Sequence, residues 1–111
     1  TRIPVERELA ADVDLDDEQE LVVFRVAQEA LTNVARHARA QRVELSLRRD
    51  DGAAVLRVRD DGRGLPPDAM SSSHGIRGMR ERAMLIGARL TLESAGRDGT
   101  EVALRLREPS S

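Results

Sequence analysis

Three polar residues in this chain have the types and spacing that site chemistry requires: Glu29, Asn33 and Asp60. Residues four apart on a helix lie one turn above each other, so a helical Gln28-to-Ala38 stretch aims the Glu29 carboxylate and the Asn33 amide into one space. A carboxylate there can orient or deprotonate a nucleophile. The Asn33 amide oxygen is the kind of neutral ligand Mg²⁺ accepts when phosphates and water complete its shell. Arg36 and His37 continue the same stripe beside an apolar one. The plain alternative is a solvated flank in which Glu29 pairs with Arg25 or Arg36, worth a few tenths of a kcal/mol. Arg36 and Arg77 can each reach a phosphate or simply serve as surface charge.

Asp60 is selected by period two. Leu56 and Val58 share a strand face against Arg57 and Arg59, and the same parity turns Asp60 to the core side where the strand ends. A carboxylate there needs a partner, since leaving it unpaired costs about 1–3 kcal/mol or more. It can cap the following turn through Gly62, or accept a hydrogen bond from a ligand amino group while Gly62 and Gly64 let a flat ligand approach the backbone. Thr100 faces inward with Val102 by the same parity. Gly75 and Gly78 stand at a helix start, where free N–H groups suit phosphate. The two histidines, His37 and His74, are too few and too far apart for a zinc site.

The elements that must hold these groups follow from the hydrophobic pattern. Val5 to Leu9 is expected as a short edge strand. A long helix is expected from about Asp16 to about Ala38, with Val23, Ala27, Ala30, Val34 and Ala38 as its apolar stripe and an acidic first turn. Val43, Leu45 and Leu47 face inward on a strand joined to the next by Asp50-Asp51-Gly52. After a loop to about His74 comes a second helix, with Ile76, Met79, Ala83 and Ile86 inward and Gly87 as terminator. Two further strands carry Leu90 and Leu92, then Val102, Leu104 and Leu106, with a turn at Arg97-Asp98-Gly99. Strand, helix, two strands, loop, helix, two strands is the order of an α+β protein. It predicts a two-layer α/β sandwich with a mixed, mostly antiparallel sheet and helices on one face.

Composition narrows the function classes. With 111 residues the chain is expected to be a single domain, residues 1–111, able to bury roughly two-thirds of its unfolded surface. A formal charge of −2 gives no general attraction to nucleic acid or anionic lipid, and a single Phe as the only aromatic argues against base stacking. All eighteen basic residues are Arg, and the absence of Cys excludes disulfides and thiolate metal sites. No apolar run approaches the ~20 residues of a membrane span, so no direct membrane contact is expected. The opening Thr1-Arg2-Ile3-Pro4 reads as the middle of something longer, which suggests an excised domain.

Taken together and in order, these segments resemble the ATP-binding catalytic domain of two-component sensor histidine kinases, from about Val5 to about Leu106. Gln28 to Ala38 is similar to that family's N box, in the form found in kinases paired with LuxR/NarL-type response regulators. Asp60-Asp61-Gly62-Arg63-Gly64 matches its D-x-G-x-G box, and His74-Gly75-Ile76-Arg77-Gly78-Met79-Arg80-Glu81-Arg82 its second glycine box. Gly99-Thr100 matches its G-T pair. The resemblance implies a Bergerat (GHKL) sandwich using ATP and Mg²⁺. It assigns the adenine amino group to Asp60, with Thr100 beside that contact, often through water. It makes Asn33 the metal ligand, Glu29 the general base or polariser, and Leu65 to His74 a lid over the phosphates. It gathers Arg36, His37, Gly62, Gly64, Leu65, His74, Gly75, Ile76, Gly78 and Met79 around the nucleotide.

Two departures bear on function. Many members carry Lys where Arg36 stands, which keeps the charge but not the geometry. Neither His lies in a phosphoacceptor helix, and phosphoryl transfer needs an acceptor in line with the γ-phosphate. The expected function is therefore the ATP-binding catalytic domain of a cytoplasmic histidine kinase module, whose full protein is anchored in the membrane upstream if at all. It delivers the γ-phosphoryl to a histidine on a separate dimerisation domain and so serves a LuxR/NarL-type response regulator indirectly. The alternatives are an anti-sigma-factor-like serine kinase or other GHKL ATPase module, and a nucleotide-free interaction module in which the boxes are only turns.

Overall fold

The computed structural model describes residues 5–10, 13–35, 42–62, 74–94 and 99–107, the side chains at 5, 74 and 94 excepted. Its elements are β1 (Val5–Leu9), α1 (Asp17–Asn33), β2 (Val43–Asp50), β3 (Ala53–Asp60), α2 (His74–Leu85), β4 (Arg89–Ser94) and β5 (Thr100–Arg107). The strands form one five-stranded sheet in the order β1-β2-β3-β5-β4. β1 runs parallel to β2, and every other neighbouring pair is antiparallel. The mixed sheet and the order of elements are those the pattern predicts, with β1 on the edge.

α1 starts where its sequence can satisfy its own backbone. Asp16 Oδ1 accepts from the Gln19 N–H at 2.7 Å, and Gln19 Oε1 accepts in return from the Asp16 N–H at 3.1 Å. Asp17, Glu18 and Glu20 then face the positive end of the helix dipole. The other end of the Gln19 amide donates to the Arg107 carbonyl at 2.7 Å. That bond puts the start of α1 at the last residues of β5, so α1 runs back toward Thr100. The buried residues of α1 are Gln19, Val22, Val23, Val26, Ala30 and Asn33, with Val34 just beyond. The expected Val23, Ala30 and Val34 are in this stripe and Ala27 packs half-buried against it, while Val22 and the fully buried Val26 widen it. Burying a valine removes more apolar surface than burying an alanine, and that difference decides which line lies deeper. Val34 and Ala35 continue the helix as a π turn, and the rest of the expected extension, residues 36–38, lies outside the described residues.

β2 and β3 form the expected hairpin, joined by Asp51-Gly52 with positive φ at both positions, the two-residue turn whose twist matches paired strands. Val43, Ala54, Leu56, Val58, Val102, Leu104 and Leu106 turn to the helices. The opposite face is wet but not bare. Val55 lies on it, between Arg48 and Arg105 in register, and is only 3% exposed because long arginine stems cover apolar surface. Arg48 pairs there with Glu8, Arg42 with Glu6, and Arg105 with Asp50 at 2.8 Å.

α2 packs Ile76, Met79 and Ala83 into the same core. It ends at Gly87, whose N–H donates to the Met84 carbonyl while the Ala88 N–H donates to the Ala83 carbonyl at 2.9 Å. That is a Schellman cap, with Gly87 at φ +66°. Arg89 then pairs with Arg105 near the end of β5. α2 consequently runs antiparallel to α1, and its first turn lies at the end of the sheet where β3 finishes and β5 begins.

Candidate functional site

The two adjacent aspartates that close β3 point to opposite sides. Asp61 is exposed and extends the hairpin ladder: its N–H donates to the Arg42 carbonyl at 3.3 Å, and its Oδ1 accepts from the Arg42 N–H at 3.0 Å. Asp60 is buried on the helix side, 3% exposed, as strand parity predicts. Its Oδ1 accepts from the Gly62 N–H at 2.8 Å, and the Thr100 N–H donates to the same carboxylate. The turn-capping role of Asp60 is therefore real, but it leaves capacity unused, because a carboxylate accepts at about four lone-pair positions. Burial raises the Asp60 carboxyl above its ordinary range, the Gly62 and Thr100 N–H groups oppose that rise, and the Asp61 charge adds to it.

Thr100 stands across from Asp60 by continuation of the β3–β5 register. Its Oγ1 is buried and has no hydrogen-bond partner among the described residues. A buried hydroxyl without a partner costs ~1–3 kcal/mol, and a carboxylate with spare acceptor capacity stands beside it. Such a pair is a receptor for a ligand edge carrying both a donor and an acceptor. Adenine has such an edge, so the residues fit the nucleotide that the resemblance implies.

Gly99 makes this pair possible and was not among the site residues expected from the sequence. A methyl group there would stand 1.9 Å from the Asp60 carbonyl oxygen and 3.2 Å from its Oδ1, and φ is +90°. Only glycine permits both the backbone angle and the close approach. The signal for it in the sequence is the G-T pair, of which the resemblance assigns a contact to the threonine alone.

α1 and α2 pack on the sheet face to which Asp60 turns. Asn33 is buried on the last turn of α1, and Glu29, one turn earlier, is half-buried. No ion pair joins Glu29 to Arg25 or to any other described residue. Glu29 instead lies against the first turn of α2, where a methyl on Gly75 would fall 1.8 Å from Glu29 Oε1. Gly78 is half-buried on the next turn, while Ile76 and Met79 are core side chains beneath that helix start. The structure thus brings Glu29 and Gly75 together, and separately Asp60, Gly62 and Thr100, all at the same end of the molecule. Arg36, His37, Gly64, Leu65 and the lid residues before His74 lie outside the described residues, as does the His74 side chain.

No group of three or more His, Cys, Asp or Glu side chains that could enclose a metal occurs among the described residues. A cation at Asn33 would therefore need oxygens from a bound phosphate chain. On the other side of the β3 terminus lies an open depression lined by Arg42, Glu44, Arg59, Asp60 and Asp61. Apart from Asp60 its lining belongs to the outer sheet face, and among the described residues neither Thr100 nor the helices border it. Among the described residues no helix is long and apolar enough to cross a membrane.

A mixed sheet covered on one face by two antiparallel helices, with a buried acid at a strand end, defines the two-layer α/β sandwich class. The match to known families agrees: residues 18–110 fit the family described as histidine kinase-, DNA gyrase B-, and HSP90-like ATPase. The chain belongs to that family. It is 39% identical over 92 residues to the signal transduction histidine-protein kinase/phosphatase UhpB of Salmonella typhimurium, covering 83% of this chain and 18% of that protein. It is 42% identical over 94 residues to the sensor histidine kinase YhcY of Bacillus subtilis, covering 83% of this chain and 25% of the relative. The blue-light activated histidine kinase of Erythrobacter litoralis superposes with a TM-score of 0.85 at 28% identity, over 96% of this chain and 36% of that one. The chain thus spans about a quarter or less of the curated relatives it matches.

Proposed function

We propose that this chain is the ATP-binding catalytic domain of a sensor histidine kinase, and that its nucleotide lies between the β3–β5 end of the sheet and the facing turns of α1 and α2. The observation that carries the reading is the buried Asp60 carboxylate with spare acceptor capacity beside the orphaned Thr100 hydroxyl. In this reading Asp60 accepts from the adenine amino group and Thr100 Oγ1 satisfies the neighbouring ring position, directly or through water. Asn33 holds Mg²⁺ by its amide oxygen. Gly62 and Gly64 leave the backbone open to the base, and the start of α2 at Gly75 and Gly78 offers N–H groups to phosphate. Bound Mg-ATP supplies the transferable γ-phosphoryl and the charge neutralisation its transfer requires.

Glu29, which has no ion pair among the described residues, accepts the proton of the incoming nucleophile or orients it. That nucleophile is a histidine on a separate dimerisation domain of the full protein, which works in the cytoplasm and serves a LuxR/NarL-type response regulator. Isothermal titration with ATP, with and without Mg²⁺, tests the site. Asp60→Asn, whose amide N–H₂ would face the donor it should accept from, is expected to weaken binding by about 10- to 100-fold, or 1.4–2.8 kcal/mol. Asn33→Ala is expected to abolish the Mg²⁺ dependence while leaving Mg²⁺-free binding in place. Equal affinity of the wild type and Asp60→Asn would overturn the adenine assignment.

A further inference from the structure

Gly75 occupies the first turn of α2, and nothing in its backbone asks for glycine: its φ is not among the positive ones, which fall at Gly52, Gly87 and Gly99. Alanine is the better helix former at such a position, so glycine weakens the helix it stands in. The surroundings supply the reason. A Cβ at residue 75 would lie 1.8 Å from Glu29 Oε1, 2.7 Å from its Cδ and 3.1 Å from its Cγ. The whole end of the Glu29 side chain rests in the space a side chain at 75 would fill. Glu29 has no hydrogen bond or ion pair with any other described residue that would hold it there. Gly78 differs, since among the described residues a Cβ there would meet only Arg82 Nη1, at 3.1 Å.

We propose that Gly75 is the positioning residue for the Glu29 carboxylate, its missing side chain being the seat that holds the base at the mouth of the site. The inference rests on the reading of Glu29 as the base given above. It assigns the glycine a task toward a side chain of this chain, separate from any approach of phosphate to its backbone. Because the obstructed atoms are the far end of a flexible side chain, an alanine at 75 moves the carboxylate rather than unfolding the helix. A displacement of about an ångström at a reacting group can cost 10²-fold in rate.

The test is a double-mutant cycle in the complete kinase with Gly75→Ala, Glu29→Ala and the pair, read as autophosphorylation turnover, KM for ATP and thermal midpoint. Gly75→Ala is expected to lower turnover by about 10- to 100-fold with little change in KM. In the Glu29→Ala background the same change is expected to lower turnover by less than about twofold, since no carboxylate remains to displace. A loss of equal size in both backgrounds, a raised KM with unchanged turnover, or an unaffected turnover for Gly75→Ala would overturn the proposal. The thermal midpoint separates this from a failure of the base reading. If Glu29→Ala alone leaves turnover intact, Glu29 is not the base. The steric pairing then stands only if Gly75→Ala raises the midpoint more in the Glu29→Ala background than in the wild type, and falls if the two gains are equal.

Discussion

Asp60 carries a local conflict, and that conflict makes it usable. Burial penalises its charged form more than the Gly62 and Thr100 N–H groups support it, so its folded carboxyl titrates above the ordinary 3.8. In the window from that value up to the raised one, the folded chain holds a proton that the unfolded chain has released. Stability therefore falls as pH rises through the window, and above it the ionised group is a constant cost. Asp60→Asn has no such proton. Whatever fixed difference the amide introduces, the stability of the wild type relative to Asp60→Asn is expected to improve as pH falls from neutral toward the ordinary carboxyl value. Urea unfolding of both proteins across that range checks this; a difference that stays flat, or moves the other way, would mean that the raised carboxyl is not Asp60. A ligand amino group donating to this carboxylate favours the charged form and so offsets part of the cost, which ties the acid's strain to its proposed role.

At the scale of elements, a single side chain fixes how the helix layer meets the sheet. The Gln19 amide closes the start of α1 with its oxygen and ties that start to the end of β5 with its nitrogen. Gln19→Ala removes both bonds and is expected to destabilise the chain by about 1–2 kcal/mol in urea unfolding. Gln19→Glu keeps the reciprocal cap but cannot donate to the Arg107 carbonyl. It is expected to lose at least as much, which assigns the cost to the tie; a Glu variant as stable as the wild type would assign it to the cap alone. The same residue marks the limit of what was legible in the chain. The helix start near Asp16 could be read, but the tie to Arg107 could not, because no local pattern states which strand end a helix start will meet. The inward parity of Asp60 and Thr100 was readable because period two leaves a strand only two choices. Most of the α1 stripe is legible as well, at Val23, Ala30 and Val34; the deeper burial of Val26 than of Ala27 is not, because the lines of residues four apart through each are both apolar. The contacts of Glu29 with Gly75 and of Gly99 with Asp60 were not readable, since each depends on a helix crossing or a strand register between segments remote in sequence.

Across the whole molecule, the proposed ligand touches three elements at once. The β3–β5 end of the sheet, the last turns of α1 and the first turn of α2 meet at one end, and among the described residues no hydrogen bond or ion pair links Glu29 to the start of α2. A ligand bound across these elements only in the folded state stabilises the chain by RT ln(1 + [L]/Kd), about 2.7 kcal/mol at a hundredfold excess over Kd. For a domain near 100 residues, that corresponds to a rise in thermal midpoint of roughly 10–20 °C. Differential scanning calorimetry with Mg-ATP is expected to show this rise for the wild type and to show little of it for Asp60→Asn at the same concentration. Inorganic triphosphate with Mg²⁺ at matched ionic strength separates base from phosphate: it can engage Asn33 and the start of α2 but not Asp60. Its smaller shift should therefore be the same in both proteins. A shift with Mg-ATP that survives Asp60→Asn in full would locate the purine elsewhere. A triphosphate shift as large as that of ATP would mean that the buried acid and the orphaned hydroxyl beside it contribute nothing to recognition.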